Sequence, residues 1–470
     1  MKFDVVIKNA KIPQGNQTVI TNILVEGGKI AGFSSKIGGV ISETVIDAEN
    51  NLTLPGCIDS HVHFMDPGFT HRENFATGTA AAASGGITTI IDMPCTSVPS
   101  VRNVENLNNK LKVIQSKALV DFALWGRVTG EDVRQDVLSN VQQQVDAGVV
   151  GFKAYMTPSV PTYPRADDAE LLEIFQAVAP TGLPLGVHME NFGICDFNIR
   201  KLRESGRVDG PAWAQARIAV AEKVAIQTCI SFAEHTRART HVVHMSTGIG
   251  ALLVEAAKKK GLKVTAETCP HYLTLNAQDA MSEWGAFAKI APPLRTPEDN
   301  DILWRKLANG AVDFVATDHA PYEIATEKAA PGMNIWTSYP GIPGVETMVA
   351  VIVSEGYNKG RLTLSRLVEI LSTNAAVQYG LYPKKGSLMI GADADFTIID
   401  LDYPWTINQS NMYTMSRYSP FHGKTVKGKV TKTVVRGNLV YGEGKITVQP
   451  GFGQFIKRQT VSEIERKLLY

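Results

Sequence analysis

From about residue 54 the chain alternates short apolar runs with stretches of helical periodicity. Eight apolar runs follow one another: LPGCIDSHVHF, ITTIIDMP, VDFALWGRV, VVGFKAYM, LPLGVHME, RTHVVHMS, KVTAETCPH and AVDFVATDHAP. Their β-branched and aromatic content is typical of strands buried on both faces. Between them lie helix candidates: NFATGTAAAAS, VENLNNKLKVIQS, DDAELLEIFQAVA, AIQTCISFAEH and PEDNDILWRKLA. Eight βα units predict an α/β protein with a TIM-type (β/α)8 barrel, although periodicity alone leaves a doubly wound open sheet as the alternative.

Both ends of the chain show a different pattern, with alternating strand-like runs punctuated by Gly and Asn. Such runs fill the first 50 residues and return past about residue 385 in ADADFTIIDLD and KVTKTVVRGNLVYGEGKITV. This similarity predicts one small β domain built from residues 1–53 and 386–450. The barrel domain then spans 54–385. The charged tail, 451–470, is expected to form an arm or a surface helix.

Composition narrows the class of protein without changing the fold. The 470 residues are 44% hydrophobic and 20% charged, with a formal net charge of +1, so no strong field favours nucleic acid or an anionic membrane. We find neither a signal-peptide pattern nor an apolar run long enough to span a bilayer. Five scattered cysteines without a CxxC motif indicate reduced thiols. The prediction is a cytoplasmic protein that binds neither nucleic acid nor membrane.

The first apolar run ends in two histidines separated by one residue, His61 and His63. Residues i and i+2 of a strand point to the same side, so the two imidazoles project together into the mouth of a barrel. Taken alone, an HxH pair is more often structural than metal-binding.

Three later runs change that balance, because each also ends in a residue of metal-ligand type. His188 ends the fifth run, His244 the sixth and Asp318 the eighth. A barrel forms its active site at the carboxyl ends of its strands, where ligands from different strands meet. The spacing therefore predicts a metal site. Imidazole and carboxylate suit zinc, with manganese, iron, cobalt or nickel as alternatives.

Lys153 ends the fourth run, and its role stays open from the residues alone. A neutral amine could take up CO2 and bridge two metals as a carbamate. The alternative is a lysine paired with an acidic neighbour. Asp318 suits two roles, ligand and general base: it would accept the proton of the attacking hydroxide and deliver it to the leaving nitrogen.

These motifs together resemble the amidohydrolase superfamily, and within it the cyclic amidohydrolases: hydantoinases, dihydropyrimidinases, allantoinases and dihydroorotases. The resemblance runs through PGCIDSHVHF, GGITTIIDMP, VVGFKAYM, ETCPHYL, APPLR, ATDHAP, GIPGVET, GADADFTIIDLD and TKTVVRGNLVY. It implies a barrel with a β-sandwich made from both termini, a binuclear centre that is usually zinc, and usually a homotetramer or homodimer. It also implies the ligand groups: His61, His63 and Asp318 for one metal, His188 and His244 for the other, and carboxylated Lys153 between them.

The position of Met65 guides the choice of substrate. Dihydroorotases typically read HxHxR, where the Arg binds a carboxylate of the substrate, and a buried anion without a cation is costly. The leading prediction is therefore hydrolysis of a five-membered cyclic ureide, hydantoin-type or allantoin, to its N-carbamoyl product. The alternatives are a dihydroorotase that uses Arg72, a dihydropyrimidinase and, from another class, a catalytically silent scaffold. Expected substrate contacts, each with packing or solvation as its alternative, are Met65, Arg72, Cys95, Tyr163, Ala291 and Pro343.

Overall fold

The computed structural model describes residues 2–36 and 41–459. Its N-terminal part consists of strands: β1 Lys2–Gln14, β2 Gln17–Glu26, β3 Lys29–Ser34, β4 Ile41–Asp47 and β5 Leu52–Pro55. β1 pairs antiparallel with β2 and parallel with β4, so the long first strand organises this region. The alternation of apolar residues along β1 and β2 buries one face of each strand, as at Ile7 and Ile23.

The eight apolar runs form the parallel strands of the next region: β6 Cys57–Val62, β7 Ile87–Asp92, β8 Asp121–Leu124, β9 Gly126–Arg127, β10 Phe152–Tyr155, β11 Leu185–His188, β12 Thr240–Val242, β13 Val264–Thr268 and β14 Phe314–Val315. β6 to β8 form one sheet and β9 to β14 another, both in chain order. The third run supplies β8 and β9 and so joins the two sheets. A parallel bridge between Val62 and His319 brings the last run beside the first. A closed barrel has its strands in this order, with the last beside the first.

Helices connect the strands and cover the barrel: α1 Phe75–Ser84, α2 Val104–Ile114, α3 Gly130–Val133, α4 Val137–Ala147, α5 Asp168–Val178, α6 Phe192–Glu204, α7 Gly210–Ala216, α8 Ala219–Thr236, α9 Gly248–Lys259, α10 Pro270–Thr274, α11 Ala277–Trp284, α12 Pro297–Ala308, α13 Met348–Ile352, α14 Leu364–Val368 and α15 Asn374–Gln378. All five predicted helices are present. Their starts follow local capping: Asn74 accepts hydrogen bonds from the first turn of α1, and Asp167 and Thr296 form capping boxes at α5 and α12.

The C-terminal strands are β15 Phe396–Thr406, β16 Thr425–Val435, β17 Asn438–Gly442 and β18 Lys445–Ile446. Antiparallel pairing of β5 with β15 joins both chain ends in one nine-stranded sheet. Because β5 spans 52–55, it crosses the predicted domain limit at 53/54; the domain limits and the sandwich layering stay predictions. Of the predicted arm, residues 451–459 lie against the barrel, where Ile456 N–H donates to Phe122 O at 2.7 Å. Residues 460–470 lie outside the described residues.

A buried ion cluster joins the barrel to the terminal sheet. Lys385 Nζ lies 2.5 Å from Asp121 on β8, 3.0 Å from Asp393 and 2.7 Å from Asp395, which precede β15. Arg436 also pairs with Asp121. Burial alone would lower the pKa of Lys385, but the surrounding carboxylates outweigh it and raise the pKa. One ammonium thus neutralises carboxylates from both parts of the molecule.

We expect Lys385→Met to lower the free energy of unfolding by about 3–5 kcal/mol, because it leaves buried Asp395 without an ion-pair partner among the described residues and removes one cation from Asp121 and Asp393. Urea unfolding followed by circular dichroism measures the change. The neighbouring Lys384 is partly exposed, and Lys384→Met is the matched control, with a change within about 0.5 kcal/mol. Equal stability of the two variants would contradict a structural role for the cluster.

The helices of the structure bear on the prediction that the chain has no membrane-spanning segment. Among the described residues, none of the helices combines the length and the apolar character that a bilayer crossing requires.

Candidate active site

The six predicted ligands come together at the carboxyl ends of the barrel strands. Three lie on strands and three just beyond them: His61 on β6, Lys153 on β10, His188 on β11, His63 after β6, His244 after β12 and Asp318 after β14. All six side chains belong to buried residues. The polar groups therefore lie where water does not solvate them, which is costly unless they bind each other or a ligand.

His61, His63 and Asp318 form a cluster suited to a metal ion. Asp318 Oδ1 lies 3.2 Å from His61 Nε2 and 3.1 Å from His63 Nε2. One ligand atom from each of the three residues lies within 4.8 Å of the others. His61 Nε2 is buried and makes no hydrogen bond within the part of the chain that the structure describes. A bare imidazole nitrogen aimed at a carboxylate fits a divalent cation between them.

His188 and His244 form the second half of the site. His188 Nδ1 lies 3.0 Å from His244 Nε2, and the ring centroids are 4.7 Å apart. Burial lowers the pKa of both imidazoles, so both are neutral and can offer a lone pair. The two facing nitrogens fit a shared ligand between them.

Carboxylates behind the site fix which nitrogen each imidazole presents. Glu190 accepts from His188 Nε2 at 2.7 Å, which leaves Nδ1 free to face the site. Burial alone would raise the pKa of Glu190, but Arg217 and His188 outweigh it and hold the pKa at about 2. Glu267 does the same for His61, with Oε1 at 2.5 Å from Nδ1. Such partners orient metal-binding histidines and set their tautomers.

Lys153 projects into the same space from β10. Its side chain is fully buried, and Nζ makes no hydrogen bond with any residue that the structure describes. No ion pair to a carboxylate is present among those residues either, so the alternative of a lysine paired with an acidic neighbour is not supported. Burial lowers the pKa of Lys153 to about 8. A buried Nζ without a hydrogen-bond partner fits a lysine whose partner is a ligand bound in the site.

Two of the six residues hold a left-handed backbone conformation. His244 has φ +40° and Asp318 has φ +49°. For residues other than glycine this conformation costs on the order of 1–3 kcal/mol and is concentrated at functional sites. Here it turns both side chains from the ends of β12 and β14 towards the centre of the barrel mouth.

A cavity of about 360 Å³ opens directly above these residues. His63, His188, His244 and Asp318 are part of its wall. The remainder of the wall is mainly aromatic and apolar: Tyr155, Val160, Trp213, Ile290, Ala320, Tyr322, Trp336, Tyr339 and Pro340. An apolar pocket with a few convergent polar groups is the usual form of a small-molecule site.

The predicted substrate contacts divide into two groups. Cys95 and Ala291 line the cavity. Tyr163 lies behind it and donates to Lys153 O at 2.6 Å, so its hydroxyl is engaged with the backbone of β10. Met65 is fully buried against Ala320 and Tyr322. Pro343 borders a small void beside His319 instead of the main cavity.

Arg72 is neither a cavity residue nor the solvated helix-start residue that its position suggests. It is 5% exposed and donates to Glu327 through Nε at 2.8 Å and through Nη2 at 2.5 Å. Its guanidinium also lies 4.5 to 5.2 Å from the ring centroids of Phe69, Tyr322 and Tyr339. Tyr322 and Tyr339 line the cavity. Because Arg72 packs on these rings and is paired with Glu327, it affects the shape of the cavity and not the charge of the cavity.

The comparison with known families agrees with this geometry. Residues 52–440 match the amidohydrolase family. The chain belongs to this family. The match begins at β5 and ends within β17, so it covers the whole barrel and, of the terminal sheet, β5, β15, β16 and part of β17. The family predicted from the motifs is confirmed.

Relatives in the amidohydrolase family cover almost the full chain. An L-hydantoinase from Paenarthrobacter aurescens is 36% identical over 461 residues, which are 97% of this chain and 98% of that protein. An allantoinase from Rubrobacter xylanophilus is 36% identical over 458 residues, again 97% and 98%. The solved L-hydantoinase from Arthrobacter aurescens superimposes with a TM-score of 0.92 at 36% identity, over 97% of this chain and 100% of that one.

A second solved structure is more distant. The dihydropyrimidinase from Brevibacillus agri has a TM-score of 0.91 at 30% identity and covers 97% of this chain and 98% of that one. Together with the family match, these similarities confirm the predicted α/β barrel fold.

Several residues of this amidohydrolase site were not predicted from the sequence. Tyr155 lines the cavity, stacks on His188 with centroids 5.3 Å apart, and lies 3.2 Å from Cys95 Sγ through its hydroxyl. The period-two rule that placed His61 and His63 on one face also places Tyr155 beside Lys153, so this signal was available. Glu190, two residues after His188, and Glu267, near the end of β13, also lie at strand ends, whereas Trp213, Arg217 and Lys289 carry no comparable signal because their roles depend on tertiary contacts.

Proposed function

We propose that this chain hydrolyses the C–N bond of a five-membered cyclic ureide, hydantoin-type or allantoin, to the ring-opened N-carbamoyl product. The observation that carries the proposal is the position of Asp318, which lies within 3.2 Å of two imidazole nitrogens and lines the cavity. The hydrolase class, acting on carbon–nitrogen bonds in cyclic amides, is confirmed by the family and its hydantoinase and allantoinase relatives. The substrate and the mechanism are the proposal.

The chain's donor set fits two divalent metal ions, for which zinc is our proposal. His61, His63 and Asp318 would hold one, His188 and His244 the other, and Lys153, carboxylated by CO2, would bridge them. When bound, the ions supply Lewis acidity and a water activated at neutral pH.

Asp318 accepts the proton of the attacking water and delivers it to the leaving ring nitrogen. Its Oδ1 is placed for this by the left-handed turn after β14, and the apolar cavity wall above it limits competing water. Tyr155 lines the same cavity, and its hydroxyl would donate to the developing oxyanion. The expected substrate contact Tyr163 is not assigned this role, because its hydroxyl donates to Lys153 O.

A dihydroorotase is disfavoured by the contacts of two residues. Met65 occupies the motif position where dihydroorotases typically carry their carboxylate-binding Arg, and Arg72 is paired with Glu327. A dihydropyrimidinase remains the nearer alternative, because the solved dihydropyrimidinase from Brevibacillus agri superimposes on this chain with a TM-score of 0.91. A silent scaffold does not explain why all six ligand positions retain ligand-type residues.

Five unpaired and buried cysteines support our placement of the protein in the reducing cytoplasm. We also propose a homodimer or homotetramer, which light scattering coupled to size exclusion would measure.

We expect purified protein to contain two divalent ions per chain and to open hydantoin, 5-substituted hydantoins or allantoin faster than dihydrouracil or dihydroorotate. Parallel assays of these rings, with metal content measured by mass spectrometry, test the proposal. Chelation should abolish turnover, and zinc with bicarbonate should restore it. Turnover of dihydroorotate alone would refute the substrate class, and full activity of the metal-free protein would refute the mechanism.

A further inference from the structure

Lys289 is a buried cation that the proposed chemistry does not use. It follows the turn Gly285–Ala288 and lines the cavity together with Ile290 and Ala291. Its side chain is 2% exposed, and Nζ lies 4.2 Å from the centroid of a Trp213 ring. Nζ donates to the backbone oxygen of Ser338. In residues 2–36 and 41–459 no carboxylate lies within ion-pairing distance of it.

Apart from Lys153, which the proposed chemistry uses, the other cations near the cavity already have bonding partners. Arg217, which also lines the wall, donates to Glu190 through Nε at 3.0 and 3.1 Å. Lys328 is equally buried but lies outside the cavity wall, where its Nζ donates to Ala286 O at 3.1 Å and to the backbone oxygen of Lys289 at 3.4 Å. Lys289 thus differs from both: it faces the cavity and has a single neutral acceptor.

Such a position is unfavourable in the empty site. Burial, with a further contribution from Arg217, lowers the pKa of Lys289 to about 7. An ammonium removed from water without a counter-charge is costly, and an oxygen acceptor brought by a ligand would offset that cost. The free donor capacity of Nζ, which has three protons and one bonded acceptor among the described residues, is available for this.

We propose that Lys289 binds a carbonyl or carboxylate oxygen on the C5 substituent of the ring, and so selects cyclic ureides that carry a polar substituent. This inference rests on the proposed function, because it assumes that the ring lies beside Asp318. Lys289 and Asp318 line the same cavity, so a ring at one and its substituent at the other fill it together. Trp213 and Trp336 would pack against the part of the substituent between them.

The test compares Lys289→Met with the unchanged enzyme on four rings: hydantoin, 5-benzylhydantoin, allantoin and hydantoin-5-acetate. Binding is followed by tryptophan fluorescence, since Trp213 lies beside Nζ, and turnover by ring opening. We expect the preference for a polar substituent over benzyl to fall about 10- to 100-fold, as for a hydrogen bond to a charged group. The loss should appear in Kd and KM more than in kcat. A loss confined to hydantoin-5-acetate identifies a carboxylate, and one confined to allantoin a ureido carbonyl.

Lys328→Met is the matched control, because it removes a buried ammonium from the same region but outside the cavity wall. We expect it to leave the substrate preference unchanged. An equal change of preference in both variants would overturn the inference, and so would an equal loss for all four rings in Lys289→Met. Absence of turnover by the unchanged enzyme would refute the proposed function, whereas the binding measurements would still decide the role of Lys289. If the unchanged enzyme bound the polar-substituted and benzyl-substituted rings equally well, the inference about Lys289 would be overturned.

Discussion

Lys153→Ala is expected to lower kcat/KM by about 10³-fold or more, because metal catalysis contributes several kcal/mol and each 1.4 kcal/mol is tenfold in rate. In the unchanged protein, Nζ of Lys153 is fully buried and has no hydrogen-bond or ion-pair partner among the described residues. Alanine cannot form the proposed carbamate, so the bridging anion is lost and the metal content should fall below two ions per chain. Mass spectrometry of the metal and initial rates measure both effects together.

Two controls for Lys153→Ala distinguish loss of the bridging anion from loss of the fold. Acetate or formate should restore part of the activity of Lys153→Ala, because a small carboxylate fits the space that the side chain leaves. Lys328→Met, which also removes a buried lysine, should keep two ions per chain. Full metal content with unchanged kcat/KM in Lys153→Ala would refute the role of Lys153.

The strands could be predicted from the sequence because burial on both faces leaves a local signature. All eight runs form strands, but the third is divided at Trp125, where the chain passes from one sheet to the other. That division depends on hydrogen bonds to distant residues, such as Trp125 N–H to Asp92 O at 3.0 Å. The pairing of β5 with β15 joins residues more than 340 positions apart, and no local pattern specifies it.

The ligands could be predicted for a related reason, namely that the fold itself brings strand ends together. His188 and His244 could be predicted as ligands from their positions at the ends of two runs alone. The groups behind them follow this rule only in part, because Glu190 and Glu267 lie at strand ends and Arg217 does not. Arg217 lies between helices α7 and α8, far from any strand end, yet it pairs with Glu190 behind His188. Arg72 shows the reverse: its loop suggested solvent, whereas its contacts bury it against Glu327.

Asp318→Asn tests the acid–base step apart from metal binding. The amide keeps an oxygen 3.1 to 3.2 Å from His61 and His63 but cannot accept the proton of water at neutral pH. We therefore expect kcat to fall about 10²- to 10⁴-fold, the usual range for general acid–base catalysis, with KM nearly unchanged. The same factor should hold for hydantoin and for allantoin, because the step does not involve the substituent. The matched control is Asp313→Asn. Asp313 lies at the other end of β14 and pairs with Lys258, so this substitution should keep kcat within about twofold. More than a tenth of the original kcat in Asp318→Asn, with the metal content intact, would assign the proton transfer to another group.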